Sequence, residues 1–313
     1  MTAAQGTPTL VLPFDAGRYE PESLVRHRAR EVRERLEAAG LGHFVQGDDV
    51  MVDLICRTSP QAEADTIGPV AEWLLWLFPL DDLCEDVFAG STTGAPADLA
   101  ATGLPRAVTA GMDGFREDVT ARMSPGWGER FRRDFDSYLR HAIRFAGTST
   151  ADDLPEPAEF LVLRREEGAA KPTIHLVEVV ARTDLPEEFR GSAAWRGLHD
   201  ACADVLTWTN DIYSYRKERR SGSRFNLVDV LVRHADLPEH DALARAVDMT
   251  NAKAREFVAL VAELPRTKEF ASLSERDRSG VLRCVTGMGY WMRGQYDWFV
   301  ITSPARYQVL PRG

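Results

Sequence analysis

The sequence lacks the features that would place it in several broad classes. No apolar run approaches the roughly 20 residues that cross a bilayer. The most hydrophobic passage is bounded by Glu72, interrupted by Pro79 and ended by carboxylates, so no membrane partner is expected. Cysteine is scarce, and Cys56, Cys84, Cys202 and Cys284 lie too far apart for a metal knuckle or a CxxC redox pair. Such cysteines suit reduced thiols in a cytosol. The start, MTAAQGTPTLVLPF, has no basic leader followed by an apolar segment, so no secretion signal is read and a cytoplasmic protein is expected. The seven histidines, His175 among them, show no ligand spacing and read as structural or solvated. Basic residues are outnumbered, 38 Lys and Arg against 48 Asp and Glu, for a net charge of -10. That balance argues against nucleic acid or an anionic membrane as the main partner, and it means that an anionic substrate needs local help. Strand signals are sparse, with no alternating β-branched runs joined by Asn-Gly or Asp-Gly turns.

What remains is a long, apolar and helically patterned chain. With 313 residues and 44% hydrophobic content it has enough material for a substantial core. Residues 22–39 carry apolar positions at helical spacing and stop before Gly40, a helix C-terminal signal. The same period returns at 126–146, 193–218, 240–263 and 275–300. The looser segments at 92–105, 148–157 and 183–187 are connection-sized. An all-α fold in one domain over residues 1–313 is the simplest organisation, with about 1–15 and 308–313 as flexible tails.

Two clusters carry chemistry. In WLLWLFPLDDLCED (73–86), four carboxylates crowd into six positions directly after an apolar wall. A helix places Asp81 and Glu85 on one face, with Asp82 and Asp86 about 100° round from them. Oxygen ligands without histidine or thiolate favour Mg²⁺ or Mn²⁺ over zinc. Alone, this cluster reads equally well as an acidic helix end near a surface, and Cys84 reads as a packing residue. Pro79 should kink the helix or mark its first turn. The second cluster is TNDIYSYRKE (209–218), where Asn210, Ser214 and Glu218 recur every four residues along one stripe. An amide oxygen, a hydroxyl and a carboxylate so spaced can clasp one divalent ion, and Lys217 could reach a phosphate beside it. Its bland reading is a polar surface stripe.

These residues resemble the class I terpene synthases, especially the single-domain bacterial cyclases. DDLCED (81–86) looks like the aspartate-rich metal motif of that family, and N210-D-x-x-S214-x-x-K217-E218 is similar to its second metal triad. LRREEG (163–168) resembles the family's diphosphate-sensing segment at a broken helix, with Arg164 as sensor, Glu167 as linker and Gly168 as effector; Arg165 competes for the sensor role. ARY (305–307) looks like the terminal Arg-Tyr pair, here Arg306 and Tyr307, and residues 10–21 look like the N-terminal segment that covers the closed site. The resemblance implies an all-α helical bundle around a central active-site cavity with three Mg²⁺ ions and an isoprenoid diphosphate. Arg164, Lys217 and Arg306 would stabilise the leaving diphosphate. Phe78 and Trp298 are the candidates for the cavity wall, and core packing is read for most of Trp73, Trp76, Trp208 and Trp291.

The expected reaction is cyclisation of farnesyl diphosphate to a sesquiterpene, with geranyl and geranylgeranyl diphosphate as alternatives. A chain-elongating prenyltransferase should carry a second DDxxD motif where N210-D-x-x-S-x-x-x-E218 stands. A helical adaptor would not require these residues at these offsets. In the first motif either Glu85 or Asp86 could supply the second acidic ligand. The oligomeric state is not legible, although members of the family often form homodimers.

Overall fold

The computed structural model describes residues 9–44, 47–88, 99, 102–146, 148, 152 and 154–303. Among them there is no strand, and the long helices are α1 (Ser23–Ala38), α2 (Asp48–Thr58), α3 (Ile67–Phe88), α4 (Arg106–Arg122), α5 (Pro125–Phe145), α6 (Pro157–Glu167) and α7 (Ala170–Val180). After a short α8 (Glu187–Arg190) come α9 (Ala193–Ser221), α10 (Leu227–His234), α11 (Glu239–Glu263), a short α12 (Lys268–Ala271) and α13 (Glu275–Asp297), which runs into a π turn at Trp298–Thr302. The fold is all-α, as the periodicity predicts.

Local chemistry sets the boundaries. Ser124, Ser192 and Asn226 cap α5, α9 and α10 by accepting from the backbone N–H groups of Trp127, Trp195 and Val228. Gly222, with φ of +91°, ends α9 in the left-handed conformation that glycine adopts without strain. The bond from Ser223 N–H to the Glu218 carbonyl closes that end just past the second motif.

Burial is most complete on three helices, among them α7, where every residue but Lys171 is buried. The first half of α3 and the middle of α9, from Ala201 to Thr209, are buried on every side, the pattern of helices inside a bundle rather than on its surface. Around them α9 packs on α11, α2 on α13, α3 on α4 and α1, and α5 on α6. Pro79 lies well inside α3, so it does not mark a first turn. No helix among the described residues is long and apolar enough to cross a membrane.

The expected N-terminal tail differs from the structure over residues 9–15. Leu10 and Leu12 are buried, Val11 N–H donates to Asn251 Oδ1 at 2.7 Å, and Phe14 packs edge-on against Phe257 at 5.6 Å. The Phe14 ring and a paired backbone amide hold this stretch to α11. None of residues 9–21 lines the central cavity.

His175 is structural. Its Nε2 lies 2.8 Å from Asp134 and its Nδ1 3.8 Å from Glu178, joining α5 to α7 inside the protein. Burial opposes the imidazolium, but the two carboxylates outweigh it and raise the His175 pKa. Burial likewise opposes the Asp134 carboxylate, yet His175 and Arg133 hold it at about 2. The folded state therefore binds the His175 proton more tightly than the unfolded chain. The stabilisation is complete below about pH 6.5 and is lost as pH rises through the raised folded value. Replacing His175→Gln is expected to cost about 3 kcal/mol at pH 6. The gap to wild type should shrink at pH 9 when both are followed by urea unfolding; an equal gap at the two pH values would show that no ion pair is involved.

Candidate active site

A cavity of ≈ 170 Å³ lies between α3 and α9. A single water needs roughly 10–15 Å³, so this is room for an organic ligand. Its lining is two-sided in chemistry. One part carries Asp81, Asp82, Glu85, Arg164, Glu167, Asn210, Ser214, Lys217 and Glu218; the rest is mostly leucine, alanine and aromatic rings.

Helix α3 presents the first motif. Asp81, Asp82 and Glu85 line the cavity, whereas Asp86 is exposed and does not. The 100° rotation between Glu85 and Asp86 separates them. Burial, reinforced by Asp82, raises the Asp81 pKa, against a hydrogen bond from the Tyr138 hydroxyl at 3.0 Å. Burial, with Asp81 next, pushes Glu85 up as well. Cys84 lines the wall as a thiol, kept protonated by burial and the neighbouring carboxylates.

Helix α9 presents the second motif from the facing side. Asn210, Ser214 and Glu218, on one stripe by their i, i+4, i+8 spacing, all line the cavity. Each is also held from within the protein. Asn210 Oδ1 accepts from Arg164 Nη2 at 3.0 Å, Ser214 Oγ donates to the Asn210 carbonyl at 2.7 Å, and Glu218 Oε2 accepts from Asn226 Nδ2 at 2.9 Å. Lys217 Nζ reaches across to Asp82 at 3.4 Å. The two motifs are thus joined by one ion pair.

The sensing segment lies between them. Arg164 is buried and held by Asp211, Glu167 and Asn210 together. Burial works against its charge, but Asp211 and Glu167 outweigh it and raise the pKa. Burial raises Glu167 to about 7 despite Arg164. Arg165 is turned away, paired with Asp204 and Asp200, and does not line the cavity. At the break between α6 and α7, a Cβ on Gly168 would lie 2.5 Å from Thr207 Cγ2 and 2.9 Å from Arg164 Nη1, so no side chain fits there. Ala169 follows with φ of +54°, a left-handed conformation that costs a non-glycine residue roughly 1–2 kcal/mol.

In the apolar part, Phe78 and Trp298 meet edge to face at 5.9 Å, and both line the cavity as expected. Trp291 does too, while Trp73, Trp76 and Trp208 are buried away from the lining, in keeping with core packing for most of these rings. Phe145 and Phe225 add a stacked pair at 4.0 Å. Arg306 and Tyr307 lie outside the described residues.

The donors suit a hard divalent cation. Five carboxylates and two cations line the space, together with the Asn210 amide and the Ser214 hydroxyl of the second motif, and burial disfavours several of the carboxylate charges. Among the described residues no three acidic, histidine or cysteine side chains converge on one point. The oxygens are divided between two helices, as suits ions that share their coordination with a ligand.

Sequence reasoning missed Tyr138 on Asp81, Asp211 on Arg164, and Asn226 on Glu218. Asn226 is the most connected. Its amide donates to Glu218 and to the Asp211 carbonyl, while its oxygen caps α10. Asn226→Ala should lower unfolding free energy by about 2 kcal/mol, the cap and an orphaned buried acceptor together, as read from the urea midpoint. A change below 0.5 kcal/mol, the range of an ordinary surface substitution, would refute that bridging role.

A family model described as terpene synthase family 2, C-terminal metal binding, matches residues 72–256, more than half of the chain. A (-)-δ-cadinene synthase of Streptomyces clavuligerus is 28% identical over 79% of this chain and 78% of its own length. A 4-epi-cubebol synthase of Streptosporangium roseum, named as cyclising (2E,6E)-farnesyl diphosphate, is 28% identical over 80% of this chain and 76% of its own. The crystal structure of 2-methylisoborneol synthase from Streptomyces coelicolor A3(2), in complex with Mg²⁺ and 2-fluoroneryl diphosphate, shares the fold. It aligns with a TM-score of 0.77 at 21% identity, over 96% of this chain and 98% of that one.

Proposed function

Given that this chain belongs to terpene synthase family 2, we propose that it ionises and cyclises farnesyl diphosphate to a sesquiterpene, with Mg²⁺ as the metal and diphosphate as the leaving group. The observation that carries this reading is the two-sided cavity, in which oxygen donors from α3 and α9 face each other beside an aromatic wall. The farnesyl chain length is supported by the name of the 4-epi-cubebol synthase, and Mg²⁺ by the donor set and by the ligands of the 2-methylisoborneol synthase structure.

In this reading Asp81, Asp82 and Glu85 on one side, and Asn210, Ser214 and Glu218 on the other, would hold three Mg²⁺ ions. Glu85 is preferred to Asp86 because Glu85 lines the cavity. When bound, the ions supply electrostatic stabilisation of negative charge on the diphosphate oxygens. Arg164 and Lys217 bind the same anion, and Arg306 and Tyr307 take the terminal contacts that the family resemblance assigns. To do so, Arg164 exchanges part of its contact with Asn210, and Lys217 its contact with Asp82, for phosphate oxygens. Glu167 and Gly168 couple that movement of Arg164 to the strained break at Ala169. The carbon–oxygen bond breaks with both electrons on the diphosphate, which leaves an allylic cation in the apolar part. There Phe78, Trp291 and Trp298 exclude water and offer ring faces, each worth on the order of 0.5–2 kcal/mol to a nearby cation. The buried free cysteines are in keeping with a reducing cytoplasm.

The test is incubation with geranyl, farnesyl and geranylgeranyl diphosphate and Mg²⁺, followed by gas chromatography with mass detection and a diphosphate assay. A cyclic C15 product from farnesyl diphosphate is expected, and absence of diphosphate release from all three would sink the reading. Glu218→Ala should lower turnover by roughly 100-fold or more with the helical circular dichroism unchanged. Near-normal turnover in that variant would remove the second motif from the metal site.

A further inference from the structure

Helix α13 ends in an unusual way. Ser303 N–H reaches back five residues to the Trp298 carbonyl at 3.0 Å, which makes Trp298–Thr302 a π turn. Such turns are rare and occur frequently at functional sites. This one carries two consecutive rings, Trp298 and Phe299, and both line the cavity. Each ring meets a different motif helix. Trp298 packs edge to face on Phe78 of α3 at 5.9 Å, three residues before Asp81, and Phe299 stacks on Tyr213 of α9 at 5.1 Å, next to Ser214. The two rings also touch each other at 5.0 Å, so a single turn spans the aromatic wall from the first motif to the second.

Both ends of the turn are pinned to α2. Trp298 Nε1 donates to the Val50 carbonyl at 2.8 Å, and Thr302 Oγ1 donates to Asp53 Oδ2. Val50 and Asp53 are three residues apart and share one face of that helix. Asp53 is buried and is itself braced, accepting from Arg57 Nε at 2.6 Å and from Arg18. Burial opposes its charge, yet Arg57, Thr302 and Arg18 outweigh that penalty and hold the carboxyl below its usual range. A hydrogen bond to a charged acceptor is roughly twice as strong as one between neutral groups, so Thr302 is tied firmly. Asp53 does not line the cavity.

Resting on the terpene synthase reading above, we propose that Asp53, acting through Thr302, is a positioning residue: it holds the π turn where Trp298 and Phe299 shape the apolar part of the cavity, and so decides how the hydrocarbon chain is folded and which product forms. Because the rings are packed in series, a small displacement of the turn moves the whole wall. Asp81, Arg164, Lys217 and the second motif stand on α3, α6 and α9 instead, so product composition responds to the pin before ionisation does.

The experiment uses three variants. Thr302→Val keeps the shape and removes the donor, Thr302→Ser keeps the donor, and Arg57→Met takes another partner from the same carboxylate oxygen while leaving the pin. Each is incubated with farnesyl diphosphate and Mg²⁺, and product composition, diphosphate release and thermal midpoint are read. In Thr302→Val the share of the major product should fall at least twofold, with diphosphate release within threefold of wild type. Thr302→Ser should retain the wild-type distribution, and so should Arg57→Met, although its midpoint falls too. Unchanged products in Thr302→Val overturn the proposal. An equal shift of products in Arg57→Met at a similar midpoint also overturns it, since the effect would then be one of stability. A loss of diphosphate release with unmoved products does the same, because the pin would then serve ionisation. Wild type that releases no diphosphate from geranyl, farnesyl or geranylgeranyl diphosphate overturns the synthase reading and this proposal together, whereas active wild type with unmoved products in Thr302→Val overturns this proposal alone.

Discussion

The organising constraint of this molecule is an excess of partly buried carboxylate over cation across one cavity. Asp81, Asp82, Glu85, Glu167 and Glu218 face a space to which only Arg164 and Lys217 bring positive charge among the lining residues, and Asp211 lies directly behind. Burial pushes the pKa values of Asp81, Glu85, Glu167 and Asp211 upward, because desolvation outweighs the positive charge that Arg164 and Lys217 bring. A site in this condition favours divalent cations, and an anionic ligand becomes tolerable only once they are present. The acidic overall charge of the chain and its anionic substrate are therefore compatible.

The same electrostatics explains why Arg164 is central to the structure as well as to the site. Its guanidinium spans Asp211, Asn210 and Glu167, so it ties the end of α6 to α9. Asp211 in turn accepts from Leu227 N–H, and Asn226 donates to the Asp211 carbonyl and to Glu218, so the start of α10 joins the same network. A contact change at Arg164 is felt by the second motif and by the α6–α7 break at once. The tight fit at Gly168 keeps the break against α9, and the left-handed Ala169 gives it a conformation with a local cost that movement could release.

Much of this was legible in the sequence because helical periodicity is a local property. Asn210, Ser214 and Glu218 share a face whatever the rest of the chain does, and the charge-dense turn after WLLWLFPL could only be one end of a buried helix or its surface edge. What was not legible depends on pairings that no spacing encodes. Tyr138 meets Asp81 across 57 residues and Lys217 meets Asp82 across 135. Arg165 and Arg164 are neighbours with equal chemistry, and only the positions of Asp204 and Asp211 on α9 separate the one that braces the helix from the one in the cavity. Glu85 and Asp86 differ by a rotation of the helix about its axis, which is fixed by packing. The burial of Leu10 and Leu12 was missed because the apolar run LVLPF is too short to carry a helical period.

The adjacency of the polar and apolar parts is itself functional. On α3 the rings and the carboxylates are one turn apart, Phe78 next to Asp81 and Asp82, so the wall lowers the local dielectric around the acids. Lower dielectric strengthens each attraction between the oxygen donors and a bound cation, and between that cation and phosphate oxygens. The same wall is mostly leucine, alanine and aromatic faces. Charge separation is thus assisted at one end and left without a quenching partner at the other, and both properties follow from placing four carboxylates directly after two tryptophans, a phenylalanine and a run of leucines.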